Sequence, residues 1–268
     1  MDQVPMDVAV LAEQWRADLA SWAIPQHILD QATEPPWRHP VDLFTVVGDI
    51  PDSPSHRIAR AALPPDGCVL DVGCGGGRAA FACVPPAIRV TGVDHNAAML
   101  AAFAAAANDR GVAHAEFLGD WLAIADEVPS ADVVVCHHLA YNVPDAPALL
   151  TSLHSHAQRR VVVELPTTHP MSPLNDLWQA FWGLTRPARP RGQDYAAIAR
   201  ALGFDVHLEV WTDDIWDARV DRTPQQRVRD TRIRLCLAED REPEVAAALQ
   251  RLPEAAPREL VTLWWDVV

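Results

Sequence analysis

A short apolar run followed by a glycine-rich turn places the strongest constraint on how this chain folds. Residues 68–80 read Cys-Val-Leu-Asp-Val-Gly-Cys-Gly-Gly-Gly-Arg-Ala-Ala, and their first half is typical of a buried parallel strand. The glycines let the backbone turn tightly and approach a ligand closely, because they carry no Cβ. The helix expected from Arg78 directs its first amides at that turn. The segment therefore predicts a strand, a ligand-binding loop and a helix.

Three more apolar segments end in polar residues, as parallel strands do at the edge where an α/β sheet binds ligands. The first of these ends at Asp94, about 20 residues beyond the loop, where an acid can accept hydrogen bonds from a ribose. The next ends in the pair Asp120-Trp121. The last, residues 131–138, is almost wholly apolar and ends in two histidines. The sequence therefore predicts several polar groups along one edge of a sheet.

Taken together, the loop and these strand ends resemble the motifs of class I S-adenosylmethionine-dependent methyltransferases, over about residues 65–165. The glycines alone are ambiguous, because residues 75–80 also match the pattern of nicotinamide- and flavin-binding enzymes. Those enzymes do not ordinarily carry an acid and an aromatic residue after the third strand, so the pair at 120–121 favours the methyltransferases. The resemblance implies a Rossmann-like fold and S-adenosylmethionine as the cofactor.

The resemblance also implies roles for individual residues. In that family the glycine loop lines the methionine moiety and the ribose, Asp71 helps to anchor the amino-acid part, and Asp94 accepts the two ribose hydroxyls. Asp120 takes the adenine amino group, while Trp121 and Met99 border the ring. The residues expected to bind the cofactor are Asp71, Gly73, Gly75, Gly77, Asp94, His95, Met99, Asp120, Trp121 and His137.

Structural roles compete with several of these assignments. Asp71 could cap the turn that follows it, since aspartate side chains commonly bond nearby amides. Asp94 could be the N-cap of the helix expected over residues 96–110. Trp121 is one of ten tryptophans, and it could simply be a packing residue.

Composition limits the partners. The net charge of the 268 residues is −14, which disfavours nucleic acid as a substrate because phosphate contacts need cations. No stretch approaches 18 uninterrupted apolar residues and the start lacks a signal-peptide pattern, so we expect a cytoplasmic protein with no membrane association. The five cysteines lack C-x-x-C spacing and indicate reduced, packed thiols rather than a metal site.

The order of the elements predicts an α/β fold. We expect a seven-stranded, mostly parallel sheet with helices on both faces and an antiparallel last strand, preceded by N-terminal helices and interrupted by a helical insertion in the C-terminal half. The predicted strands lie near residues 68–72, 89–93, 115–118, 132–136, 160–165, 204–211 and 259–266. The predicted domains are a helical cap (1–45) and a Rossmann-like domain (46–268) with accessory segments 166–200 and 213–257.

The end of the fourth strand and the aromatic segments indicate where an acceptor could bind. Methyl transfer is an in-line displacement that needs a base only if the acceptor must lose a proton. His138 is the first choice of base, because a neutral imidazole is available near pH 7, and Tyr141 and Asn142 could orient the acceptor. The residues that could line its pocket are Trp22, Trp37, His169, Trp178 and Trp182. For all of these residues a purely structural role is a competing interpretation.

The sequence therefore predicts a methyltransferase that acts on a small organic acceptor, as a monomer or homodimer. The first alternative is a non-catalytic protein that binds S-adenosylmethionine or S-adenosylhomocysteine. A nicotinamide-dependent oxidoreductase is the second, and it would leave Asp120-Trp121 unexplained. The acceptor and the methylated atom are not identified by the sequence.

Overall fold

The computed structural model describes residues 7–37, 41–46, 48–213, 223–253 and 257–267. Seven strands form one sheet: β1 (Cys68–Val72), β2 (Arg89–Asp94), β3 (Ala113–Leu118), β4 (Ala131–His137), β5 (Ala157–Pro166), β6 (His207–Asp213) and β7 (Arg258–Asp266). Their order is β3-β2-β1-β4-β5-β7-β6. Neighbours among β1–β5 pair in parallel, whereas β7 is antiparallel to both β5 and β6. The predicted sheet, with its antiparallel last strand, is confirmed.

Helices cover both faces of the sheet. They are α1 (Val8–Ala20), α2 (Gln26–Leu29), α3 (Pro54–Ala62), α4 (Arg78–Phe81), α5 (Ala97–Arg110), α6 (Trp121–Ile124), α7 (Ala146–His156), α8 (Asn175–Trp182), α9 (Gly192–Ala201), α10 (Pro224–Arg234) and α11 (Glu242–Leu249). Within the described ranges, each helix is too short or too polar to traverse a lipid bilayer.

Two apolar cores lie on the two faces of the sheet. Because side chains alternate along a strand, Val134 of β4 belongs to one core and Val135 to the other. The first core includes Trp15 of α1 and residues of α7 and α9, and the second is formed with α3, α4 and α5. Val134 and Val135 are both fully buried. Burial on both faces of the sheet explains why β4 is a continuous apolar run in the sequence.

A third core lies apart from these two and is built from the accessory helices. It joins Ile28 of α2, Trp178 of α8, Leu235 at the end of α10 and Val245 of α11 with their apolar neighbours. The buried Arg232 of α10 also links distant segments there, through ion pairs of 2.8 Å to Glu34 and 3.3 Å to Glu242. The N-terminal region and both predicted accessory segments, 166–200 and 213–257, therefore contribute residues to one helical module. The predicted boundary at residue 45 is not tested by this arrangement and stays a prediction.

Candidate active site

The glycine loop crosses the carboxyl end of the sheet between β1 and β2. The amides of Gly73 and Cys74 both donate to the carbonyl of Val93, at 2.9 and 3.0 Å, which fixes the loop to the end of β2. Gly73 and Gly75 have φ values of +72° and +50°, a region that side-chain-bearing residues seldom adopt. The turn predicted from the sequence therefore requires glycine at these positions.

The loop is also covered from outside the sheet. A Cβ atom on Gly76 would lie 2.1 Å from the carbonyl oxygen of Phe44, so the backbone around Phe44 packs directly on the loop. The atoms nearest to a Cβ on Gly75 would belong to the Phe44 side chain, at 3.6 Å. The segment of residues 41–46, which precedes the sheet, thus forms one wall of the loop.

Asp94 ends β2 beside the loop. Its carboxylate accepts hydrogen bonds from the amide of Gly75 at 3.0 Å and from that of Asn96 at 2.8 Å. The N-cap of α5 is Asn96, whose side chain accepts from Ala98, so the alternative that Asp94 caps this helix is wrong. Each carboxylate oxygen retains a second lone pair, which leaves Asp94 able to accept bonds from a ligand diol.

Asp71 lies at the base of the loop, only 1% exposed. Its carboxylate accepts a hydrogen bond from the Ala80 amide at 3.1 Å. Burial, opposed by that hydrogen bond and reinforced by the negative charge of Asp94, raises the pKa of Asp71 to about 7. Asp71 accepts one hydrogen bond and has no cation beside it among the described residues. A cation that binds nearby would therefore stabilise the ionised form of Asp71. This site therefore fits a positively charged cofactor such as S-adenosylmethionine.

The edge beyond β2 holds the residues predicted to bind adenine. The Gly119 amide donates to the carbonyl of Asp94 at 3.1 Å, so the acid-bearing ends of β2 and β3 lie side by side. Asp120 is exposed and caps α6 by accepting from Leu122 at 3.1 Å. The remaining lone pairs of the Asp120 carboxylate face the surface, where a ligand can reach them.

The aromatic and apolar residues of this edge differ in exposure. Trp121 is buried, its ring packs edge-on against His156 at 4.8 Å, and its Nε1 has no hydrogen-bond partner within the described ranges. Met99 is buried on α5, whereas the side chain of His95 is 81% exposed. The adenine-facing roles of Trp121 and Met99, and the cofactor-binding role of His95, stay predictions.

Two histidines end β4, and both approach Glu164 on the neighbouring strand β5. His137 pairs with Glu164 in the sheet register, and His137 Nδ1 lies 3.8 Å from Glu164 Oε1. His138 Nε2 lies 3.0 Å from the same oxygen. His138 has a φ of +63°, a left-handed conformation that breaks the strand alternation and brings its ring to the same carboxylate. Glu164 therefore joins the two histidines into one cluster.

Burial and mutual contact set the charges in this cluster. Burial lowers the pKa of His137 to about 4, so this imidazole is neutral at pH 7. Burial by itself raises the pKa of Glu164, but the two histidines outweigh that effect and hold it below its usual range. The Ser55 hydroxyl lies close enough to act in the same direction, although its hydrogen bond is to Thr262, at 2.6 Å. Glu164 is thus an ionised, buried carboxylate.

The two polar residues predicted to orient an acceptor lie in the turn at Ala140–Asn142. The Tyr141 hydroxyl donates to the carbonyl of Pro166 at 2.9 Å, and its ring stacks on Trp15 at 5.6 Å. Burial raises the pKa of Tyr141, so the phenol stays protonated. Tyr141 is therefore packed and hydrogen-bonded in this structure, whereas Asn142 is exposed. The roles of both residues in orienting an acceptor stay predictions.

Three of the five residues predicted to line an acceptor pocket form one stack. The rings of Trp22 and His169 lie 3.8 Å apart, and the Arg186 guanidinium lies 5.0 Å from Trp22 and 5.2 Å from Trp178. His169 follows β5, so this stack begins at the carboxyl edge of the sheet. It extends into the third core, where Trp178 is buried.

The other two predicted pocket residues lie elsewhere. Trp182 donates through Nε1 to the carbonyl of Leu235 at 2.7 Å, within the helical module. Trp37 is 57% exposed. The structure does not bring either of them into the stack.

Glu164 is the functional candidate that the sequence reasoning missed. The sequence does carry a signal for it, because it is the single charged residue in the apolar run from Val161 to Leu165. Arg258 is a second omission, since its guanidinium lies 3.5 Å from His138 Nδ1 and 3.9 Å from Asp213. Within the described ranges, no group of three or more potential ligands is arranged to hold a metal ion.

The sheet order, the glycine loop and the acids at the ends of β1, β2 and β3 define an α/β protein that binds a nucleoside cofactor. A family model described as a methyltransferase domain matches residues 48–209, which is more than half of the chain. The chain belongs to this methyltransferase family. It is an S-adenosylmethionine-dependent enzyme, and the nicotinamide-dependent alternative is set aside.

Solved structures share the fold. The YcgJ protein from Bacillus subtilis is 16% identical with a TM-score of 0.51, over 79% of this chain and 97% of that one. A structure reported for the conversion of a disulfide bond into a thioacetal group during echinomycin biosynthesis is 16% identical with a TM-score of 0.53, over 89% and 90%. A magnesium protoporphyrin IX methyltransferase from Synechocystis PCC 6803 with bound SAH has a TM-score of 0.46 at 17% identity, over 74% of each chain. The search of curated proteins gave no significant match.

Proposed function

We propose that this enzyme methylates a small organic acceptor whose reacting atom carries a proton, and that His138 is the general base. The observation that carries this proposal is the 3.0 Å contact between His138 and the buried, ionised Glu164. It lies at the carboxyl end of β4 and β5, the edge at which open α/β sheets bind their ligands. A base at this edge, held by a carboxylate, suits removal of a proton during transfer.

The cofactor supplies an electrophilic methyl group, and the chain's own residues hold it in place. Asp94 and the glycine loop are suited to the ribose, since the carboxylate is fixed by the Gly75 amide and keeps free lone pairs. Asp120 and Trp121 are the proposed adenine contacts. Asp71 is buried next to the loop, and no cation lies beside it among the described residues, which supports a position near the positively charged part of the cofactor.

Glu164 decides which nitrogen of His138 is basic. With Nε2 donating to Glu164, the neutral imidazole keeps its lone pair on Nδ1. When Nδ1 takes a proton from the acceptor, the resulting imidazolium lies against an ionised carboxylate and is stabilised by it, as the aspartate does in hydrolase triads. Nδ1 lies 3.5 Å from the Arg258 guanidinium, so the acceptor must replace that contact in order to react.

Composition supports a small acceptor rather than a nucleic acid. The net charge of −14 disfavours association with the phosphates of a nucleic acid. The stack of Trp22, His169 and Arg186 lies beyond β5, which supports an acceptor pocket that is lined in part by aromatic rings.

Replacing His138 tests the proposal. His138→Asn is the most suitable variant, because asparagine tolerates the left-handed backbone found at this position. The rate of conversion of S-adenosylmethionine into S-adenosylhomocysteine, with an acceptor found by screening, is expected to fall by roughly 10²–10⁴-fold. Affinity for S-adenosylhomocysteine should stay within about twofold, because the base contributes no cofactor contact in this proposal.

The matched control is His27→Asn, which changes an exposed histidine outside the site. It is expected to keep the wild-type rate. Undiminished turnover by His138→Asn would refute the assignment of the base.

A further inference from the structure

Two buried polar atoms of the histidine–carboxylate cluster have no hydrogen-bond partner within the described ranges. They are Oε2 of Glu164 and Nε2 of His137, and the two side chains are 7% and 10% exposed. They occupy paired positions on β5 and β4. Leaving an ionised carboxylate oxygen buried and unpaired is costly, which indicates that a ligand group completes the cluster.

Within the part of the chain that the structure describes, Glu164 forms no ion pair with an arginine. Within the described ranges, the basic side chains within 4 Å of Glu164 are His137 and His138, and lysine is absent from the chain. The ring of His56, on α3, lies parallel to that of His137 at 5.9 Å, and its Nδ1 is paired with the carbonyl of Pro51 at 3.2 Å. Burial lowers the pKa of His56 as well, so this side of the cluster is neutral.

The two unpaired atoms define the chemistry of the missing group. His137 Nδ1 faces Glu164 Oε1; with the proton on Nδ1, Nε2 carries a lone pair and is an acceptor. Two acceptors beside a negative charge match a group that has at least two N–H donors and a positive charge. A hydroxyl brings only one donor, and a carboxylate brings none and is repelled.

We propose that Glu164 and His137 form a binding subsite for an ammonium group. Two molecules can bring such a group to this edge: the amino-acid part of the cofactor and an amine acceptor. The first source needs only the cofactor itself, whereas the second rests on the proposed function. The subsite is distinct from the contact between His138 and Oε1, because it uses the other oxygen of the carboxylate.

Calorimetric titrations of wild type and Glu164→Gln distinguish the two sources without any need for turnover. The first arm compares S-adenosylhomocysteine with methylthioadenosine, which lacks the amino-acid part. The second arm titrates benzylamine and benzyl alcohol, which differ in the ammonium group, into protein saturated with S-adenosylhomocysteine. Glu259→Gln is the control, because Glu259 is an exposed acid on the adjacent strand β7.

If the cofactor brings the ammonium group, Glu164→Gln weakens the binding of S-adenosylhomocysteine by about tenfold or more and leaves the binding of methylthioadenosine unchanged. If an acceptor brings the ammonium group, the substitution leaves the binding of S-adenosylhomocysteine unchanged. The wild type then binds benzylamine more tightly than benzyl alcohol by a similar factor, and the variant loses that preference. Unchanged binding in both arms overturns the subsite. Should Glu164→Gln fail to fold, as judged by circular dichroism, His137→Gln carries the same test with the same expected changes.

Discussion

Asp94→Ala is expected to weaken binding of S-adenosylhomocysteine by about 100-fold or more, because it removes the carboxylate proposed to accept both ribose hydroxyls. Hydrogen bonds to a charged group contribute roughly 1.5–3 kcal/mol each. The same substitution frees the amide of Gly75, which Asp94 now holds at 3.0 Å, so the loop also loses its anchor. Isothermal titration calorimetry measures the change directly.

The fold should survive this substitution, since the helix cap is Asn96 rather than Asp94. We expect a loss of roughly 1–2 kcal/mol in unfolding free energy from the two freed amides. Asp109→Ala, at an exposed position on α5, is the matched control and should bind as wild type does. Wild-type affinity in Asp94→Ala would show that the ribose does not bind at this acid.

Asp71→Asn is expected to make the ligand-free protein less sensitive to pH. Because the pKa of Asp71 rises from its ordinary value of 3.8 to about 7 on folding, the folded state holds this proton more tightly than the unfolded state. Its contribution to stability is complete below pH 4 and is lost as the pH rises toward 7. Between pH 5 and pH 8 the wild type should lose about 3 kcal/mol from this group.

The asparagine variant has no proton to release there, so its unfolding free energy should lack this decrease. At pH 8 it should be more stable than wild type, and it should bind S-adenosylmethionine more weakly because the buried negative charge is gone. Urea denaturation of both proteins at the two pH values measures the difference. Equal pH slopes would show that Asp71 is ionised at pH 5 in the folded protein.

Much of the fold follows from local patterns in the sequence. The continuous apolar runs predicted the buried parallel strands, because strands covered on both faces have no polar side. The glycines at 73 and 75 predicted the turn, because its backbone needs positive φ. Asp71 and Asp94 lie at the carboxyl ends of β1 and β2, and Asp120 follows β3, so their placement at one edge followed from the parallel topology.

The contacts at the carboxyl ends of β4 and β5 depend on features that the sequence does not display. The left-handed turn at His138 brings both histidines to Glu164, and strand alternation alone predicts opposite faces. The stack of Trp22, Arg186 and Trp178 joins residues more than 150 positions apart in sequence, a distance over which periodicity carries no information. The sequence alone did not distinguish Trp22, which joins the stack, from Trp37, which is exposed.

The most direct test is a calorimetric titration of the wild-type protein with S-adenosylmethionine, S-adenosylhomocysteine and NAD in parallel. We expect micromolar binding of the first two and no heat from NAD, because the acids and the loop at the carboxyl edge suit a methyltransferase cofactor. Binding of NAD alone, or of none of the three, would contradict the assignment of this edge as the S-adenosylmethionine site.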